Sequence, residues 1–503
     1  MGGGTSLWAS PDWKNDPKQI FNSRLWFLVV AVSFAGFSYG FDHGNVGGVL
    51  RQGEIASMMS AGAAVGALCA GPFSEYLGRK GSMITYGSVF LVGAVMQLMA
   101  DLSVFQAGRF IGGLGIGGTS VLSPQYLAES SPKTIRGSLT TLYNLAIILA
   151  LSLAFWVNYG VSRWNYAGVK TDDRQWRTSM AIQIIPAGAM ALLIAIAIDS
   201  PRGLIARNKC EKGLEALCKL RGLPADHPYA DVVNELNKNR TYLLAARDII
   251  KIPSYRRRFA LATTLFIFHK LTGTDAINYF APQIFPLLGV SSGSMSLMTT
   301  GIYGVVKFFA SLLYATAMLY IGLYVRFGPK EAPAGGGVPA GGIVGVIWIY
   351  VYAFGWSFGH SVAPYVLAVE VFPSGIRSFS ISFCLMLNWL FGFAVSLATP
   401  HMLRVMGYGT FLFFAGVTYV GVVYVYFCMP ELKGRSIESM DDLFEHRLWE
   451  MFRHAYPTED EKARKDVQRQ MLDETKGAEG VVHAERSSAT EDSDGVDKAA
   501  SKA

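Results

Sequence analysis

GRFIGGLGIGGTSVLSPQYLAESSPKTIRG, residues 108–137, joins a glycine-rich apolar run to a polar, basic end. Glycines at this density have two readings. A phosphate-binding loop needs a strand before it and a helix after it. No strand-like segment precedes these glycines, and they lie within an apolar stretch, 106–128, long enough to cross a bilayer as a helix. Helices in lipid pack through small residues that let their backbones approach. The run therefore reads as the packing face of a transmembrane helix, with ESSPKTIRG (129–137) as the loop at its cytoplasmic end. SAGAAVGALCAG (60–71) has the same character.

Outward from this helix, windows of the same kind recur. Of 503 residues, 51% are hydrophobic, 13% aromatic and only 16% charged; soluble chains carry about a quarter charged residues. Apolar segments fall at 25–47, 55–74, 82–100, 106–128, 139–159 and 178–198, then at 259–288, 297–325, 343–371, 379–400 and 409–429. About eleven such segments define an all-α polytopic membrane protein. Its expected parts are a cytoplasmic N-terminal tail (1–23), a first helix bundle (24–200), a cytoplasmic loop with short helices (201–257), a second bundle (258–442) and a cytoplasmic tail (443–503). From about 455 the tail has too little apolar surface to fold. The loops EYLGRKG (75–81) and ESSPKTIRG face the cytoplasm if the N-terminus does, in keeping with positive-inside bias.

The polar first 23 residues and the length of the first apolar run argue against a cleavable signal peptide. The net charge of +7 comes from Lys and Arg in loops rather than from a basic domain, so nucleic acid is not an expected partner. Cys69, Cys384 and Cys428 lie in apolar segments, and Cys210 and Cys218 in the basic loop. Neither a disulfide framework nor a metal site follows, and no cofactor loop is recognised. The sequon at Asn239 falls in that same loop, where glycosylation does not reach.

Eight motifs occur in order: GFSYGFDHGNVGGVL (36–50), EYLGRKG, GRFIGGLGIGG with PQYLAESSPKTIRG (124–137), DSPR (199–202), LTGTDAINYFAPQIF (271–285), EVFPSGIR (370–377), Asn388-Trp389 and PELKGRSIE (430–438). Together, over roughly residues 25–445, they resemble the sugar porter family of the major facilitator superfamily, and within it the fungal permeases for sugar acids and quinate. The resemblance implies two pseudo-symmetric six-helix bundles around a central polar cavity and transport by rocking between two open states. It also implies no enzyme activity.

From the resemblance, Asp42 and Arg109 form a proton-coupling pair. A mid-membrane carboxylate costs about 2.5–3.5 kcal/mol unless paired or protonated, so a pair that joins in one state and parts in another acts as a proton switch. A static buried ion pair is the other possibility. Glu75, Arg79, Glu129, Arg136, Glu370 and Arg377 correspond to a cytoplasmic gate between the bundles; they also serve as topology signals.

FHKLTGTDAINYFAP (268–282) departs from the family in an informative way. Family members carry two glutamines and an asparagine here, whose amides bond sugar hydroxyls. This chain has His269, Lys270 and Asp275, and Lys307 stands where another sugar-binding asparagine is common. The remaining expected substrate residues are Asn144, Tyr365, Asn388 and Trp389. Two lysines against one aspartate leave a buried ammonium short of a partner, which a substrate carboxylate would satisfy through charge-assisted hydrogen bonds. The expected function is proton-coupled symport of a monosaccharide-like polyol, namely a sugar acid such as galacturonate or quinate, across the plasma membrane. An internal Lys270–Asp275 pair with a neutral hexose or pentose as cargo is the alternative, as is a transport-dead sensor.

Two family features are missing. The first outer loop shrinks to RQGE (51–54). In place of the eighth and ninth helices with their basic loop there is one run, 297–325, followed by GPKEAPAGGGVPAGG (328–342). Twenty-nine residues make a helix of about 44 Å, enough for one crossing of a 30 Å core but not two. Three outcomes restore or break the topology: a short re-entrant hairpin, a glycine-rich linker forced across the bilayer, or an incorrectly delimited gene or splice form that does not transport.

Overall fold

Every described element is a helix. The computed structural model describes residues 18–49, 53–99, 101–132, 135–163, 173–207, 209–222, 242–273, 275–276, 314–327, 339–355, 363–428 and 443–446. The chain divides into two units, Met1–Tyr426 and Phe427–Ala503. Nearly all of the second, including the tail expected to be disordered from 455, lies outside the described residues.

In the first unit the N-terminal half comprises α1 (Ser23–Val49), α2 (Gly53–Tyr76), α3 (Gly78–Met96), α4 (Leu102–Ser130), α5 (Arg136–Ser162), α6 (Asp173–Ile182) and α7 (Ile184–Ile196). Three loop helices follow: α8 (Pro201–Ala206), α9 (Cys210–Arg221) and α10 (Tyr242–Lys251). The C-terminal half contains α11 (Pro253–Leu271), α12 (Tyr314–Phe327), α13 (Ala340–Gly355), α14 (Ala363–Val371), α15 (Ser374–Val405) and α16 (Tyr408–Cys428). Five helical stretches among the described residues are long and apolar enough to cross a membrane. Of the eleven expected apolar segments, 259–288, 297–325 and 343–371 lie partly outside the described residues.

The glycines of the opening stretch do what packing in lipid requires. Gly113 and Gly117 of α4 lie against the backbone of Met59 and Ala63, and Gly62 and Gly66 of α2 against that of Phe110 and Leu114. A Cβ on Gly117 would stand 2.0 Å from the Ala63 carbonyl oxygen, so no side chain fits. This approach, about as close as two helices come, fixes α2 on α4 by van der Waals contact where lipid supplies no hydrophobic drive. Polarity is arranged to match. Large apolar side chains such as Val30, Leu192 and Ile196 face outward, while Asp42, His43, Arg109, Lys270, Asp275 and Asn388 are buried. The two halves meet where α15 runs along α2 and where α14 and α15 touch α4.

Several boundaries differ from expectation. The loop expected at 75–81 reduces to Leu77, because Gly78 takes φ +78° and turns the chain in one step. Glu129 sits in the last turn of α4 and not in a loop, and Gly53 and Glu54 begin α2 instead of ending the first connection. The sixth apolar segment is two helices divided at Gln183. The described parts of the segment 343–371 are α13 and α14.

The shortened region has an explicit geometry in its described part. Tyr324 of α12 meets Gly341 of α13, and four residues earlier Tyr320 stacks on Trp348 at 5.9 Å and donates to the Gly341 carbonyl at 3.2 Å. Earlier residues of α12 thus meet later residues of α13, so the pair is antiparallel. Their described parts cover 14 and 16 residues. Residues 328–338 of the glycine-rich linker lie outside the described residues.

Candidate transport site

Three polar clusters are buried in the first unit, two of them where the halves meet. The deepest in the N-terminal half is the ion pair of α1 and α4. Arg109 Nη1 donates to Asp42 Oδ1 at 2.7 Å and Oδ2 at 2.9 Å, with both side chains 1% exposed or less. The guanidinium also reaches Gln97 Oε1 on α3 at 3.4 Å and Met59 Sδ on α2 at 2.9 Å. Gln183, at the α6–α7 break, adds its amide to Gln97 Oε1 at 3.5 Å. Asp42 and Arg109, singled out in the sequence, are therefore brought together; Gln97 and Gln183 were not anticipated.

The second cluster depends on a helix end. α11 stops at Leu271, Thr272 Oγ1 turns back to the His269 carbonyl at 3.1 Å, and Gly273 takes φ +83°. A side chain at 273 would both strain that conformation and collide with the Phe414 ring, 2.6 Å from a Cβ. The reversal folds Asp275 back onto Lys270, whose Nζ donates to its two carboxylate oxygens at 2.9 and 3.2 Å. The ammonium also lies 5.1 Å from the Trp389 ring centroid, a cation–π contact. Trp389 Nε1 donates across the halves to Ser120 Oγ on α4 at 3.2 Å. Asp275 faces the other half as well: His43 Nε2 on α1 is 3.6 Å from its Oδ1. Tyr39, one turn before His43, packs edge-on to both His43 and Trp389, at 5.6 and 5.2 Å.

Beside it lies the third cluster. His269 Nδ1 and Asn388 Oδ1 are 3.0 Å apart, and Tyr365 stands edge-on to His269 at 6.2 Å. Asn388 Nδ2 is buried with no hydrogen-bond partner among the described residues, a donor left open beside polar neighbours. His269, Lys270, Asp275, Tyr365, Asn388 and Trp389 thus form one neighbourhood. Asn144 is buried, but its amide donates to its own helix, to the Thr140 carbonyl at 3.2 Å. Lys307 lies outside the described residues. His43, Tyr39 and Ser120 were missed by sequence reasoning; of these, only His43 carried a signal, an ionisable side chain inside an apolar run.

At the end of the bundle bearing the basic loops, Arg79 holds Glu129 through Nε (3.1 and 3.2 Å) and Nη2 (2.8 Å), and also bonds Ser74. Ser200 of the DSPR motif donates to Glu129 Oε2 at 2.5 Å, and Arg207 pairs with Asp199 at 2.8 Å. Glu75 is close enough to act on Arg79 electrostatically. Arg377 donates instead to the Phe372 carbonyl at 3.0 Å. The side chains of Arg136 and Glu370 lie outside the described residues. These gate ion pairs join elements of the N-terminal half and its loop; the expected contact between the bundles is not among them. On α9, Glu215 pairs with Lys219 in solvent, and that hydrogen bond and charge hold its carboxyl below the ordinary value.

A family model described as "Sugar (and other) transporter" matches residues 37–322 and 310–444. The chain belongs to this family. Over 88% of its length it is 31% identical to the quinate permease of Emericella nidulans, covering 93% of that protein, and 29% identical to the quinate permease of Neurospora terricola, covering 92%. The solved structure of XylE, a proton:xylose symporter, superposes with TM-score 0.71 at 22% identity, covering 84% of this chain and 99% of that one. The fold is that of the major facilitator superfamily, and the protein is a multi-pass membrane transporter for a small molecule, not an enzyme.

Proposed function

We propose that this transporter carries an anionic polyol of the quinate or galacturonate class, together with a proton, across the plasma membrane. One observation carries the substrate class: a buried ammonium, Lys270, stands where the halves meet, 3% exposed and 5.1 Å from the Trp389 ring centroid. An ammonium withdrawn from water is poorly matched to hydroxyls alone and well matched to a carboxylate, which accepts charge-assisted hydrogen bonds. Asn388 Nδ2 supplies an open donor beside it. The quinate permeases among the relatives agree with an acid as cargo. For the proton, the Asp42–Arg109 pair is the candidate. It is fully joined in this state, and a transport cycle that parts it exposes a lone carboxylate that binds a proton.

A second possibility has its own observation. Asp275 already neutralises Lys270, as a carrier of neutral hexoses or pentoses would require. The two are separated by uptake into cells that lack their own acid and sugar permeases and express this chain. Accumulation of labelled quinate or galacturonate, with alkalinisation of the medium, supports the acid symporter. Uptake of xylose or glucose with no competition from either acid supports the neutral carrier.

A further inference from the structure

Asp275 has an arrangement that a simple internal ion pair does not need. Its carboxylate lies between groups of opposite halves: it accepts from Lys270 Nζ on α11 at 2.9 and 3.2 Å, and His43 Nε2 on α1 stands 3.6 Å away. All three side chains are about 5% exposed or less. Room for the carboxylate is built in, because the neighbour on α15 is Gly392, where a Cβ would lie 3.1 Å from Asp275 Oδ2 and 3.5 Å from Lys270 Cε. Tyr39 and Trp389 close the sides. The result is a carboxylate seat between the two halves, with an ammonium on one wall, an imidazole on the other, and the chain's own aspartate in it.

We infer that Asp275 occupies, in the empty carrier, the place that the substrate's carboxylate takes in the loaded one, and that His43 is a substrate ligand contributed by the N-terminal half. This rests on the anionic substrate class proposed above and adds to it the identity of the seat. The device solves a charge problem. An empty cleft holding Lys270 alone would carry an unpaired ammonium through the middle of the membrane each time it reset, and buried charges are tolerated when paired. With Asp275 in the seat the empty cleft is neutral. A substrate carboxylate competes for the same two donors, and its contact with His43 on α1 and Lys270 on α11 ties the two halves together around the cargo.

The test measures binding of quinate and galacturonate to the purified full chain, by Trp389-sensitive fluorescence and by thermal shift, alongside transport in proteoliposomes. Asp275→Asn removes the internal competitor. The expected result is acid binding tighter by about tenfold or more, and a melting temperature raised by added quinate more than in the wild type. Exchange of labelled for unlabelled acid persists while net uptake falls, because the empty carrier resets with an unpaired lysine. His43→Phe keeps a ring against Tyr39 but removes the donor, and it weakens acid binding by about tenfold with little effect on a neutral polyol. Unchanged or weaker acid binding in Asp275→Asn, or equal effects of His43→Phe on acid and neutral ligands, overturns the inference. If Asp275→Asn fails to fold, the His43→Phe comparison decides alone. Should the wild type bind neutral polyols and no acid, the substrate class itself falls, whatever the variants do.

Discussion

Replacing Lys270 with Gln removes one charge and keeps a side chain of similar reach that still donates a hydrogen bond. In the wild type Nζ makes contacts of 2.9 and 3.2 Å to a carboxylate that is 3% exposed. Breaking a buried pair from one side costs about 3–5 kcal/mol, because the remaining charge is left uncompensated. The glutamine amide restores one neutral hydrogen bond, about 1 kcal/mol, and His43 remains 3.6 Å from Asp275. The variant is therefore expected to be less stable by about 2–4 kcal/mol. For the cargo, the lost interaction is a hydrogen bond between charged partners, about 1.5–3 kcal/mol. An acid should bind about 10- to 150-fold more weakly, while a neutral polyol, which loses one neutral bond and regains another, should change by less than about threefold. The assay is equilibrium binding of quinate and of a neutral polyol to purified wild type and Lys270→Gln, with melting curves recorded on the same samples. Equal losses for both ligands would refute the claim that this lysine selects charge.

Other expectations follow from the same geometry. Asp42→Asn removes the proton-binding carboxylate from the pair with Arg109 and should abolish accumulation against a gradient while sparing exchange, measured as counterflow in vesicles. Glu129→Gln breaks a pair in which the carboxylate is held by Arg79 and Ser200; a drop in detergent melting temperature is expected, equivalent to about 1–3 kcal/mol, and no change would show the contact to be idle. Gly117→Leu places a side chain where even a Cβ would be 2.0 Å from the Ala63 carbonyl, so the variant should fail to give a monodisperse peak in size-exclusion chromatography, and normal elution would refute close α2–α4 packing. One proton moving with one singly charged acid transfers no net charge, so a pH gradient should drive uptake and a membrane potential alone should not. A neutral sugar moving with a proton would respond to potential by about 2.3 kcal/mol per 100 mV.

The fold was largely legible because lipid imposes long apolar helices and small packing residues, and both mark the sequence strongly. Gly113 and Gly117 were readable as a packing face, and the structure sets them on α2. Boundaries were less so: the one-residue turn at Leu77 depends on the left-handed conformation of Gly78, and the sixth segment divides at Gln183, where Pro186 offers no N–H to the Ile182 carbonyl four residues back. In the site, Lys270 and Asp275 stood out as charges in an apolar run, yet their contact depends on the reversal at Gly273. Lys270 is the lysine that Asp275 neutralises; Lys307, the other of the two, lies outside the described residues. His43 was overshadowed by its neighbour Asp42, and nothing in the sequence shows which way a histidine on a helix points. Asn144, assigned by resemblance, bonds to its own helix, a detail of rotamer and not of residue type. In the shortened region the antiparallel packing of α12 on α13 rests on contacts such as Tyr320 with Trp348, which apolar length alone did not decide.

Purified protein reconstituted into proteoliposomes, with an imposed pH gradient and labelled substrates in competition, tests the charge of the cargo most directly. A substrate carboxylate held by Lys270 predicts accumulation of quinate or galacturonate that the other acid inhibits and that excess xylose or inositol leaves unchanged. Accumulation of a neutral sugar, with both acids neither transported nor inhibitory, would contradict it.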